Sequence, residues 1–220
     1  MDNLIYSELA MLVFSTAGFV YGAGKYLKPR KPLYASMIVL GVGCIMLGRA
    51  YSVLRLITGL QVAGVFSLGI LGTVGAFLFF FSSNFGQIDS LVDGGGKEFV
   101  KYRVIAITGV LITAALYVFI LLSPAEIWEK VTDGCAALII ASASYFHVKH
   151  ILIPDIDYGV VRCQRMFNIM ALCYGILSML EFIAFAYMNE TMLLIVSAFE
   201  CLVSGLIVPV MDRGVRKWSR

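Results

Sequence analysis

Residues 192–211 read MLLIVSAFECLVSGLIVPVM, twenty positions with one formal charge, at Glu200. At about 1.5 Å rise per residue, a helix of that length reaches about 30 Å, the thickness of a bilayer's hydrocarbon core. A surface helix of a soluble protein carries a broad charged face, and this stretch has a single charged residue. It reads as a membrane span, and its single carboxyl group needs a partner or a cavity.

Six further stretches have the same character. With 192–211 they give spans at about 5–24, 33–54, 60–81, 103–123, 134–153 and 166–188. None alternates apolar and polar residues in the ten-residue strands of a membrane barrel, so helix is the expected state. Composition agrees. Of the 220 residues 60% are hydrophobic and 14% charged, against about 45–50% and about 25% in ordinary soluble domains. That excludes a water-soluble globule, a disordered chain and a disulfide scaffold. The fold expected is an all-α integral membrane protein, a seven-helix bundle forming one polytopic domain over 1–220 with no soluble domain.

Punctuation supports the boundaries. Pro29 and Pro32 bracket the first loop, Pro124 ends the fourth span and Pro154 the fifth, with Thr132 or Asp133 as cap of the fifth. The flank Asp2–Glu8 carries two acids and no base, unlike the basic start of a signal peptide, so the first run reads as a retained span. The last span is followed by nine residues, too few for an output domain.

Orientation follows from lysine and arginine. Fourteen of the 17 fall on one side of the alternating loops: Lys25, Lys28, Arg30, Lys31, Lys97, Lys101, Arg103, Lys149, Arg162, Arg165, Arg213, Arg216, Lys217 and Arg220. The other side holds Arg49, Arg55 and Lys130. The N-terminus is therefore expected outside and the C-terminus in the cytoplasm. Short loops in a short chain point to a bacterial inner membrane. Trp218, among Arg216, Lys217 and Arg220, reads as an interfacial anchor.

Ionisable groups inside spans mark candidate sites. Glu200 has Ser197 three residues before it and Ser204 four after, one polar stripe on a helix. Glu181 lies in the outer half of the preceding span, with Tyr174 and Ser178 on its face at helical spacing. Arg49, near the outer end of the second span, can pair with either glutamate. Arg49, Tyr174, Ser178, Glu181, Ser197, Glu200 and Ser204 are thus the expected ligand-binding set, in an outward-facing polar cavity. The alternative is a structural ion pair locking the bundle.

Other features carry less. His147 and His150 are three apart and are weak metal candidates, and a solvated pair at the membrane interface is the better reading. Asp93-Gly94-Gly95-Gly96-Lys97 lacks phosphate-loop spacing and reads as a flexible loop. The five cysteines include no CxxC pair and are expected as free thiols. In the third span Gly72 with Ala76 fits small-xxx-small packing, within the bundle or in a homodimer. No lysine lies in 192–211 to hold a retinal Schiff base, and no nucleophile–base set appears.

The expectation is a stand-alone membrane sensor, not an enzyme and without cofactor. It would take a small polar ligand from outside and signal to a protein partner through 82–102 and 154–165. A small-solute or proton-coupled transporter is the alternative, its polar path running past Ser204 and through Gly109, Thr113 and Tyr117. A structural subunit of a larger complex comes third. Acids and bases nearly balance across 82–102, which argues against strong nucleic-acid binding.

Overall fold

The computed structural model of the protein describes residues 2–59, 68–89, 93, 95–154 and 160–218. Seven α-helices and no strand occur among them: α1 (Asp2–Tyr26), α2 (Leu33–Thr58), α3 (Leu68–Asn84), α4 (Val100–Leu122), α5 (Ile127–Leu152), α6 (Val160–Ala186) and α7 (Glu190–Trp218). A π-helical turn, Phe85–Asp89, follows α3, and a short 3₁₀ turn, Lys97–Phe99, leads into α4. All but α3 are long and apolar enough to cross a membrane, and α3 is a shorter apolar helix. The first eight positions of the expected span 60–81 lie outside the described residues.

The helices outrun the apolar stretches because a helix continues through charged turns that hydropathy rejects. The fifth shows this best. Thr132 and Asp133 do not cap it, since α5 begins at Ile127 with Glu126 in extended conformation before it. Asp133 is therefore an interior residue, 8% exposed.

Neighbouring helices alternate in direction. Gly22 of α1 faces Val39 of α2 while Phe19 faces Gly43, and further along α2 Gly41 meets Phe80 of α3 while Gly48 meets Gly72. α7 closes the bundle by running parallel to α1, with Gly18 against Ser204 and Gly205. The two ends of the bundle are named here for Glu8 and Asp212. At the latter end, Asp212 accepts hydrogen bonds from Tyr21 (2.7 Å) and Tyr26 (2.5 Å) and pairs with Lys25 (2.5 Å) and Arg216 (3.0 Å), tying α1 to α7.

The core is a layer of rings at mid-height. Phe77 stacks on Tyr174 at 5.9 Å between centroids and meets Phe80 edge-on, and Phe80 meets Phe167 edge-on at 5.6 Å. All four are buried. The periphery is apolar as well: Leu111, Leu122, Leu138 and Ile195 are more than half exposed. An apolar surface this extensive is not stable in water, and acyl chains are the solvent that suits it. Six spanning-length helices with apolar peripheries make this a multi-pass helical membrane protein.

The small residues of α3 are spent inside the bundle. A Cβ on Gly72 would stand 2.7 Å from the Cys44 carbonyl oxygen and 2.7 Å from the Gly48 Cα, so α2 and α3 touch backbone to backbone. Gly72→Leu is expected to lower stability by about 1–3 kcal/mol or more, because rigid backbone must give way. Thermal unfolding in detergent measures it, and an unchanged midpoint would refute the contact. Of the five cysteines, Cys44, Cys135, Cys173 and Cys201 are unbridged, and the side chain of Cys163 lies outside the described set.

Candidate functional site

The α2–α3 contact fixes the height of Arg49, the residue after Gly48. Its guanidinium does not snorkel to the surface; Arg49 is 8% exposed and surrounded by carboxylates. Nη1 and Nη2 donate to the two oxygens of Glu181 at 2.6 and 2.7 Å, the forked geometry that suits arginine and carboxylate. Nη2 also donates to Glu200 at 2.9 Å, and Nη1 to Glu8 at 3.3 Å. Ser178 donates to the free oxygen of Glu200 at 3.1 Å. Four helices, α1, α2, α6 and α7, meet at one cation. With every group ionised the cluster carries one positive and three negative charges.

The structure thus brings together Arg49, Ser178, Glu181 and Glu200. Tyr174, Ser197 and Ser204 are buried beside them on α6 and α7, but none hydrogen-bonds to the cluster. Among the described residues the hydroxyls of Tyr174 and Ser197 make no hydrogen bond of normal geometry, and that of Ser204 bonds its own helix at the Cys201 carbonyl. Glu8 is the member that the sequence reading passed over. In the sequence it closes the acidic Asp2–Glu8 flank, yet α1 begins at Asp2 and already has Glu8 in its second turn. The signal available was the apolar run from Leu4 onward, which places Glu8 inside the span.

Above the cluster a cleft of about 540 Å³ opens at the Glu8 end. Glu8, Arg49 and Glu181 form part of its wall, with Arg55, Glu126, Glu129 and Asp133 contributing further charge and Trp128, Phe182 and Phe185 aromatic surface. The volume lies within the range of small-molecule sites, about 300–1,000 Å³. Below the cluster, the Phe77–Tyr174 and Phe80–Phe167 layer closes the interior.

A second polar zone lies beyond that layer, toward the Asp212 end. His147 and His150 are fully buried there rather than solvated, a correction to the sequence reading. The amide nitrogen of Asn84 stands 2.9 Å from both His147 Nδ1 and Asn168 Oδ1, and its oxygen 3.0 Å from His150 Nδ1. His150 Nε2 reaches Asp89 at 3.1 Å. His150 is thus held at both ring nitrogens, by an amide and a carboxylate, and His147 by amides at Nδ1, its Nε2 having no hydrogen-bond partner among the described residues. No three His, Cys, Asp or Glu side chains converge as a metal site among the described residues. Asp155 and Asp157, the next acids along the chain after the histidines, lie outside them.

Nor is the segment after α3 loose where it is described. Lys149, 3% exposed, bridges Asp89 at 2.6 Å and Asp93 at 2.7 Å, and Arg103 grips Asp93 through Nε at 2.7 Å and again through Nη2. The Arg103 hydrogen bonds are the main cause holding the Asp93 carboxyl well below its ordinary value of 3.8, aided by Lys149 and the Gly95 amide. Burial works to raise Asp89, but His150 and Lys149 together outweigh it and lower that group too.

The residues expected to continue a polar path, Gly109, Thr113 and Tyr117, form the α4–α5 seam instead. A Cβ on Gly109 would stand 3.0 Å from the Ser144 carbonyl oxygen, Thr113 bonds back to Gly109 at 3.0 Å, and Tyr117 bonds the Lys130 carbonyl at 2.9 Å. The chain matches no protein-family model, no curated protein and no solved structure.

Proposed function

We propose that the protein is a seven-span membrane sensor whose cleft at the Glu8 end faces outside and takes a small polar ligand. In this reading the N-terminus is outside and the basic loops lie in the cytoplasm. The carrying observation is the pairing of an open charged cleft with a closed aromatic layer beneath it. A ligand that contacts Glu8, Arg49 or Glu181 touches the point where four helices meet, and differential contacts there are what shift a two-state bundle. The output surface proposed is the Asp212 end, through 82–102 and 154–165, toward a separate protein partner.

A transporter is the second reading, and the same cleft would be its outer vestibule. The buried rings and the packed α4–α5 seam favour the sensor, because transport needs a polar route across the mid-height layer.

Two measurements test the proposal. In a chain whose cysteines are replaced by alanine, Ser52→Cys in the cleft wall is expected to react with a membrane-impermeant maleimide from outside intact cells. Protection until the membrane is permeabilised would overturn the orientation. In proteoliposomes, proton flux driven by a pH gradient is expected to equal that of protein-free vesicles. Flux that Glu200→Gln abolishes would establish the transporter instead.

A further inference from the structure

Resting on the ligand-cleft reading, we infer that the cleft selects an organic ammonium ion, with Asp133 as its counter-ion. Asp133 lies about 9 Å, or six residues, into α5, the same depth that Glu8 has in α1. It is 8% exposed, lines the cleft, and meets no cation and no hydrogen-bond donor among the described residues. A carboxylate so placed in a span is costly unless a positive charge arrives. Its own helix could have supplied one, but Lys130 turns away and donates to the Ser123 carbonyl at 2.8 Å.

The remaining charges agree in sign. The wall holds five carboxyl groups, Glu8, Glu126, Glu129, Asp133 and Glu181, against Arg49 and Arg55. Arg49 is already taken by Glu8, Glu181 and Glu200. One oxygen of Glu8, itself 4% exposed, has no hydrogen-bond partner among the described residues. An anionic ligand would therefore meet net repulsion. A metal ion is disfavoured because the acids do not converge. Diffuse negative charge beside Trp128, Phe182 and Phe185 instead suits a cation that spreads over several contacts, since aromatic faces attract ammonium groups.

The test uses the full chain in lipid nanodiscs with Trp218→Phe, leaving Trp128 as the one tryptophan. Its fluorescence is titrated with 2-phenylethylammonium, with the neutral 2-phenylethanol and with phenylacetate. Saturable binding is expected for the ammonium ion, at least ten-fold tighter than for the other two. Asp133→Asn is expected to weaken it at least ten-fold and Glu129→Gln less, while Lys130→Gln leaves it unchanged. Because Asp133→Asn removes an unpaired buried charge, the thermal midpoint without ligand is expected to rise, which a merely structural aspartate would not give. A fall in that midpoint, or an unchanged affinity in Asp133→Asn, overturns the proposal. Equal affinity for alcohol and ammonium overturns the charge preference and leaves the ligand cleft standing. Binding of none of the three overturns the ammonium site, and the Ser52→Cys labelling then reports separately on whether the cleft opens outside.

Discussion

Arg49→Ala is expected to be the most damaging single substitution in the chain. It removes the one cation that Glu8, Glu181 and Glu200 share and leaves three carboxyl groups buried at the meeting of four helices. Breaking a buried ionic cluster from one side costs about 3–5 kcal/mol, most of it the desolvation of what is left behind. That is comparable with the whole stability of many folded domains, about 5–15 kcal/mol. Arg49→Lys is expected to recover only part of it, because an ammonium group cannot make the two parallel bonds to Glu181. Neutralising the whole cluster, Arg49→Met with Glu8→Gln, Glu181→Gln and Glu200→Gln, is expected to restore most of the loss, since buried charges replaced together are close to neutral in stability. Size-exclusion profiles and thermal unfolding in one detergent give the ranking. An Arg49→Ala protein as stable as the parent would show that the carboxylates are not held by this guanidinium.

Lys149→Met is expected to come second. The ammonium group joins the turn after α3 to α5 through Asp89 and Asp93, and each lost charged hydrogen bond is worth about 1.5–3 kcal/mol. Hydrogen exchange of 85–89 and 95–99 is expected to quicken in the variant while α7 keeps its protection. Equal exchange in variant and parent would place the anchor elsewhere. The pH dependence has a definite sign. Both aspartates are lowered in the folded chain from an ordinary value of 3.8. Their contribution is therefore fully present above that value and declines as pH falls below it, through the depressed folded values. The attachment is expected to be unaffected between pH 7 and 5 and to loosen only in stronger acid. Loosening already between pH 7 and 5 would show that these two aspartates do not control it.

Sequence reading reached the class of protein and one of its two polar centres. Long apolar stretches with few charges admit one solution in a bilayer, so the helices were legible from 192–211 outward. Arg49, Glu181 and Glu200 were legible for the same reason, as charges that apolar surroundings make conspicuous. Glu8 and Asp133 were not, because each sits near the edge of an apolar run, where a flank or a cap explains an acid equally well. The start of α5 at Ile127 puts Asp133 inside, whereas Glu8 already falls within the expected span 5–24 and stands out only once its partner Arg49 is seen. The second centre escaped for a different reason. Asn84, Asn168 and Asp89 lie on separate elements, and histidine spacing alone suggests solvent exposure at the end of a helix. Which amide meets which imidazole depends on α3, α5 and α6 packing together, and no local pattern encodes that.

Of all the helices, α6 alone has a side chain bonded within both centres: Glu181 and Ser178 above the ring layer, Asn168 below it. Asn168 and Glu181 are thirteen positions apart, about 20 Å along one rigid rod. A layer of packed rings does not stop a rod from tilting. One rod thus joins the Arg49 cluster physically to the histidines on the far side.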